Sequence, residues 1–99
     1  MAETLTALQD WYQSCCDGEW EHRYGMTIQS LDNPGWLVTI DLTGTPLADR
    51  SFTVIDAKPG APDWMHCSVQ DTRFRGAGGL HMLDALLRVF LDWARENAV

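Results

Sequence analysis

Ninety-nine residues, 45% hydrophobic and 10% aromatic, form a single domain spanning 1–99, because no second core fits at this length. Fourteen acids against seven bases give a net charge of −7, which argues against nucleic acid and anionic membrane as partners, since both are recognised through Lys and Arg. The charge favours a basic partner, or solubility alone.

Residues 3 to 16 have helical spacing. Leu5, Leu8, Tyr12 and Cys15 make the stripe, with Trp11 beside it, and Asp17-Gly18 stops the helix. Residues 24 to 31 alternate as a strand, with Met26 and Ile28 on one face. Asp32-Asn33-Pro34-Gly35 is a turn, and Trp36, Val38, Ile40 and Leu42 form the inward face of a second strand. Phe52 and Val54, extended at most to Ile55, mark a third strand. Residues 63 to 70 mark a fourth, with Met65, Cys67 and Val69 on one face and Trp64, His66 and Ser68 on the other. Arg73 to Gly79 reads as a glycine-rich loop before a final helix from about Leu80 to Glu96, whose stripe is Leu83, Leu86, Leu87, Phe90 and Trp93. The expected fold class is therefore α+β: an N-terminal helix, a four-stranded antiparallel meander and a C-terminal helix, with both helices on one face of a two-layer domain.

No stretch approaches the ~20 apolar residues of a membrane span. The first residues carry Glu3 and neither a basic cluster nor a signal-peptide core. Cys15, Cys16 and Cys67 are odd in number, and the adjacent pair is poorly placed to bond to itself. Reduced thiols in a cytoplasmic protein are expected.

Three constellations invite chemistry. His66-Cys67 followed by Arg73 has the spacing of a cysteine phosphatase. A phosphate cradle needs glycines, a helix beneath it and no internal negative charge, yet this segment holds Asp71 and alternates like a strand, so Cys67 reads better as a small core residue. The Arg73–Gly79 segment could hold an anion on its backbone N–H groups, but lacks Gly-Lys-Ser/Thr and reads equally as a turn. Cys15, Cys16, His22, His66 and Cys67 match no familiar zinc spacing. No catalytic residue, metal or cofactor is expected.

The strongest candidate is an interface. Residues 1 to 22 contain five acids and no Lys or Arg, and Asp10, Asp17, Glu19 and Glu21 are interleaved with Trp11, Trp20 and His22. Aromatics supply contact area and carboxylates attract a basic partner. Trp20, after a helix-stopping glycine, is expected to project from a loop, and Trp64 joins the partner-binding set from the outer sheet face. The alternative is that Trp11 and Trp20 are core anchors and the acids a solvated rim.

Six segments, Leu8-x-x-Trp11-Tyr12, Cys16-Asp17-Gly18-x-Trp20-Glu21-His22-x-Tyr24-Gly25, Leu31-Asp32-Asn33-Pro34-Gly35-Trp36, Ile40-Asp41-Leu42, Asp63-Trp64-x-x-Cys67 and Phe74-x-Gly76-x-Gly78-Gly79, resemble the immunity protein 53 family of bacterial polymorphic toxin systems. The resemblance runs from Leu8 to Trp93 and is most specific at Trp20-Glu21-His22 and Asn33-Pro34-Gly35-Trp36. It implies a non-enzymatic protein that caps a cognate toxin, with a basic, nuclease-like toxin domain suiting the acidic charge; its oligomeric state stays open. An acidic secretion chaperone or adaptor is the competing expectation, and a phosphatase or sulfurtransferase using Cys67 and Arg73 a remote one.

Overall fold

A computed structural model describes residues 2–97. Helix α1 spans Ala2–Cys15, a one-turn helix α2 spans Trp20–Arg23, and strands β1 to β5 span Met26–Leu31, Gly35–Asp41, Ile55–Ala57, Met65–Gln70 and Arg73–Gly79. Helix α3 closes the chain at Leu83–Glu96. The five strands form one antiparallel sheet in the order β1-β2-β5-β4-β3.

The α+β class and the packed helices agree with expectation, but the four-stranded meander does not. The segment read as a glycine-rich loop is the central strand, paired to β2 through Val38↔Gly76 and to β4 through Cys67↔Gly76. Its alternation decides this. Phe74, Gly76 and Gly78 face the helices, while Arg73, Arg75 and Ala77 face away. The glycines serve packing: a Cβ at Gly76 would stand 3.2 Å from Leu86 of α3, and one at Gly78 would stand 3.0 Å from Met82. Without side chains there, α3 settles directly on the sheet centre, a tertiary gain that overrides the low strand propensity of glycine. The third strand is also displaced, since Phe52 and Val54 precede it and only Ile55 of the expected three lies in β3.

The core lies between the sheet and α3. Val38, Ile40, Leu42, Cys67, Phe74, Leu86, Leu87 and Phe90 are buried, and Leu8 joins them from α1. Phe74 and Phe90 rings stand 5.2 Å apart, and Phe52 meets both Phe74 and Trp93 edge-on. Trp36 was expected inside with Val38 and Ile40 but is only half-buried, and its indole N–H donates to the Leu80 carbonyl at 2.9 Å. The buried face of α1 is rotated from the expected stripe. Thr4 and Leu8 are buried and Trp11 is half-buried against Phe90, whereas Leu5 and Tyr12 are 42% and 38% exposed.

The β4–β5 hairpin turns on Asp71 and Thr72, with φ of 55° and 60°. Two positive φ values in a two-residue loop make the kind of turn that favours Asn-Gly, and a β-branched residue is strained there. Thr72→Gly should therefore stabilise the protein by about 1 kcal/mol, read as a higher midpoint in urea with an unchanged slope. The Thr72 carbonyl still accepts from the Leu42 N–H in that variant, because the bond is made by the backbone.

Candidate partner-binding surface

The acidic segment after α1 is built around two carboxylates turned inward on the backbone. Asp17 Oδ1 accepts from the N–H groups of Glu19 and Trp20, each at 2.9 Å. Glu21 reaches back and accepts from Asp17 N–H at 3.0 Å and Gly18 N–H at 2.8 Å. This reciprocal arrangement satisfies donors that the short helix α2 cannot satisfy itself, the logic of a capping box. Gly18 adopts φ of +93°, a conformation natural to glycine.

These bonds favour the charged carboxylates. The Trp20 N–H, then that of Glu19, holds the Asp17 carboxyl below its usual range. Glu21 is lowered in the same direction, first by its own backbone N–H and then by those of Asp17 and Gly18. Carboxyls lowered in the folded state stabilise it above their unfolded pKa, and that stability is lost as pH falls through the folded value. The thermal midpoint should therefore hold near neutrality and drop below about pH 4, the ordinary carboxylate range. Asp17→Asn with Glu21→Gln should make the acid-side drop shallower. A pH series of melting curves that stays parallel for the two proteins would contradict this role.

Trp20 does not project. It is 6% exposed, its indole N–H donates to the Thr43 carbonyl at 2.8 Å, and its ring stands 6.0 to 6.3 Å from Trp11, Tyr12 and Tyr24. Trp11 in turn meets Phe90 edge-on at 4.8 Å, so the aromatic chain ties the segment to the main core. The buried indole is what fixes the surface around it. Asp10, Glu19 and His22 are exposed, and the carboxylates of Asp10 and Glu19 make no hydrogen bond or ion pair among the described residues. Separately, Leu8, Gln9, Tyr12, Tyr24, Gly25 and Met26 line an open groove of about 380 Å³ between α1 and β1, on the flank of α1 away from Asp10. Tyr12, Tyr24 and Met26 are thus surface features that the sequence reading left out.

Trp64 stands apart from this cluster. It precedes β4 at the Gly35/Gly79 end of the sheet, where its carbonyl accepts from Gly79 N–H and its ring lines a groove with Asn33, Pro34 and Pro62. Trp20 lies beyond the opposite end of β2, near Thr43. The seven residues of β2 between them span roughly 20 Å. The expected partner-binding residues therefore divide into an Asp10–His22 group and a remote Trp64.

The chemical alternatives find no assembled site. Cys67 points into the core and is fully buried, and burial pushes its thiol up to about 11, the opposite of an activated nucleophile. Arg73 lies on the other face of the sheet, bonded to Asp41 at 2.9 Å. The N–H groups expected to cradle an anion at Arg73–Gly79 belong to a strand, and α3 begins only at Leu83. Among the described residues no cluster of His, Cys, Asp and Glu is placed to hold a metal ion, and no helix is long and apolar enough to cross a membrane.

The sheet face away from the helices carries Thr27, Gln29, Thr39, Asp41, Arg75, Ser68 and Gln70, with Leu37 and Ala77 as an apolar pair on its central strands.

A family model described as immunity protein 53 matches residues 5–95. No curated protein and no solved structure matches the chain at a significant level.

Proposed function

We propose that this chain, which belongs to the immunity protein 53 family, binds a cognate bacterial toxin and neutralises it by covering its active site. The observation that carries the reading is the joining of that family membership to an unpaired acidic rim. Asp10 on α1 and Glu19 beside the buried Trp20 are exposed and have no internal partner among the described residues, and the same domain carries the open Tyr12–Tyr24 groove. Aromatic contact area and unpaired carboxylates on one small domain suit tight, electrostatically steered association.

The toxin that suits this surface is basic. A domain that cleaves or modifies nucleic acid holds phosphates with Lys and Arg, and an acidic cap can occupy the same cleft. The protective step is occlusion without turnover, carried out in the cytoplasm of the cell that makes the toxin. The Asp10–His22 segment supplies the contact. Within it Asp10, Glu19 and His22 meet the partner directly, and Trp11, Asp17, Trp20 and Glu21 hold the surface in shape.

Titration of the purified protein with a candidate toxin domain, sought first in the neighbouring gene, tests this reading. Association should be tight, and its on-rate should fall steeply between about 50 and 500 mM salt, because exposed charges are screened over that range. An on-rate indifferent to salt would remove the acidic rim from recognition.

A further inference from the structure

The sheet has two edges, and they differ. Strand β3 has three residues, carries Asp56 and runs into Lys58-Pro59, so charge and proline close it off. Strand β1 has six residues, Met-Thr-Ile-Gln-Ser-Leu, with no charge and no proline. Thr27 through Ser30 are all exposed.

The register shows which backbone groups of β1 are free. Asp41 N–H donates to the Gly25 carbonyl, one residue before β1 and opposite Asp41 in the Met26↔Ile40 register. Antiparallel partners alternate between bonded and non-bonded pairs, so Thr27, Gln29 and Leu31 face β2 with both their N–H and C=O groups. Met26, Ile28 and Ser30 turn theirs outward. The Leu42 N–H to Thr72 carbonyl bond independently gives the even residues of β2 to β5, which agrees. No hydrogen bond from another element reaches these outward groups among the described residues. Three donors and three acceptors are thus presented in strand geometry.

We propose that a strand of the partner protein pairs with this edge as a sixth strand, and that this strand is an extended basic segment of the toxin. The inference rests on the immunity reading and deepens it. Apolar residues at alternate positions of that segment would continue the row of Met26 and Ile28, which is 43% exposed, and fill the groove of Leu8, Tyr12 and Tyr24. Charge selects the occupant. Residues 1 to 32 hold Glu3, Asp10, Asp17, Glu19, Glu21 and Asp32 against Arg23 alone. Two copies of a chain of net charge −7 repel one another, whereas Lys and Arg flanking the apolar positions would complement it.

Amide hydrogen exchange, resolved by residue, tests the proposal on the unmodified chain, alone and saturated with a purified candidate toxin domain sought first in the neighbouring gene. In the free protein, Met26, Ile28 and Ser30 should exchange faster than Thr27, Gln29 and Leu31. In the complex the outward three should slow by roughly tenfold or more, as amides do when they enter a ladder. Ile28→Lys, which plants a charge on the edge at a partly exposed position, should weaken the complex by roughly tenfold or more while lowering the melting temperature by only a few degrees. A tight complex in which the outward amides exchange as in the free chain would overturn the strand-pairing proposal and leave the immunity reading standing. Failure of the two proteins to associate would overturn both. Slowing in the free chain as its concentration rises, with a dimer in sedimentation, would give the edge to a second copy and overturn the basic-segment assignment.

Discussion

Trp20→Ala should destabilise the protein by about 3–5 kcal/mol, the cost of deleting a buried aromatic side chain and leaving a cavity. Trp20 is not within the main hydrophobic core, and the size of the effect comes from its position as a second, smaller one. Its ring is surrounded by Trp11, Tyr12 and Tyr24, and its N–H satisfies the Thr43 carbonyl. Gly44 sits beside the indole with a φ of +78°, a conformation that favours glycine, and a Cβ there would make only ordinary contact with the ring at 3.5 Å. Trp20→Phe keeps most of the apolar area but leaves the Thr43 carbonyl without the indole donor, so it should cost less, about 1–2 kcal/mol. Chemical denaturation of the three proteins gives the order. Equal stability of Trp20→Ala and the parent would show that the indole is not an anchor. The functional consequence follows from the same packing: a loosened Trp20 releases the Asp17–Glu21 turn, so Trp20→Ala should also weaken partner binding without touching a contact residue.

The second large effect concerns charge. Asp10→Lys with Glu19→Lys should weaken association with the partner by roughly a hundredfold at low salt, because each reversal replaces an attraction with a repulsion at an exposed position. The fold should be unaffected, since neither carboxylate has an internal partner among the described residues. Glu21→Lys behaves differently. It removes the acceptor of the Asp17 and Gly18 N–H groups, so it should lower stability and binding together. Affinity and melting temperature measured on both variants separate a carboxylate that meets the partner from one that shapes the surface. Retention of full affinity by the Asp10/Glu19 double variant would take the acidic rim out of the interface.

Periodicity located most of the elements. Both long helices, the strand from Gly35 and the strand ending at Gln70 are visible as apolar spacing, because each buries one face against the core. Two things were hidden. Strand β5 looks like a loop because its inward positions are Gly76 and Gly78, which carry no hydrophobic signal and are inward only because α3 presses on them. The Arg73-Phe74-Arg75 alternation was the usable trace. The role of Trp20 was hidden for another reason. Flanking acids and a preceding glycine suggest exposure, yet Glu21 folds back on the turn and lets the indole point inward. Spacing alone says that acids and aromatics are interleaved, whereas only the hydrogen bonds say which carboxylates are spent on the backbone and which remain free.

The central claim is protection by binding, and growth measures it most directly. A candidate toxin domain, sought first in the neighbouring gene, is expressed alone, with the intact protein, and with the Asp10→Lys/Glu19→Lys variant. The expected result is that the toxin domain stops growth, the intact protein restores it, and the variant restores it poorly while remaining folded and abundant. A toxin domain that stops growth equally in the presence of the intact protein would contradict the immunity reading.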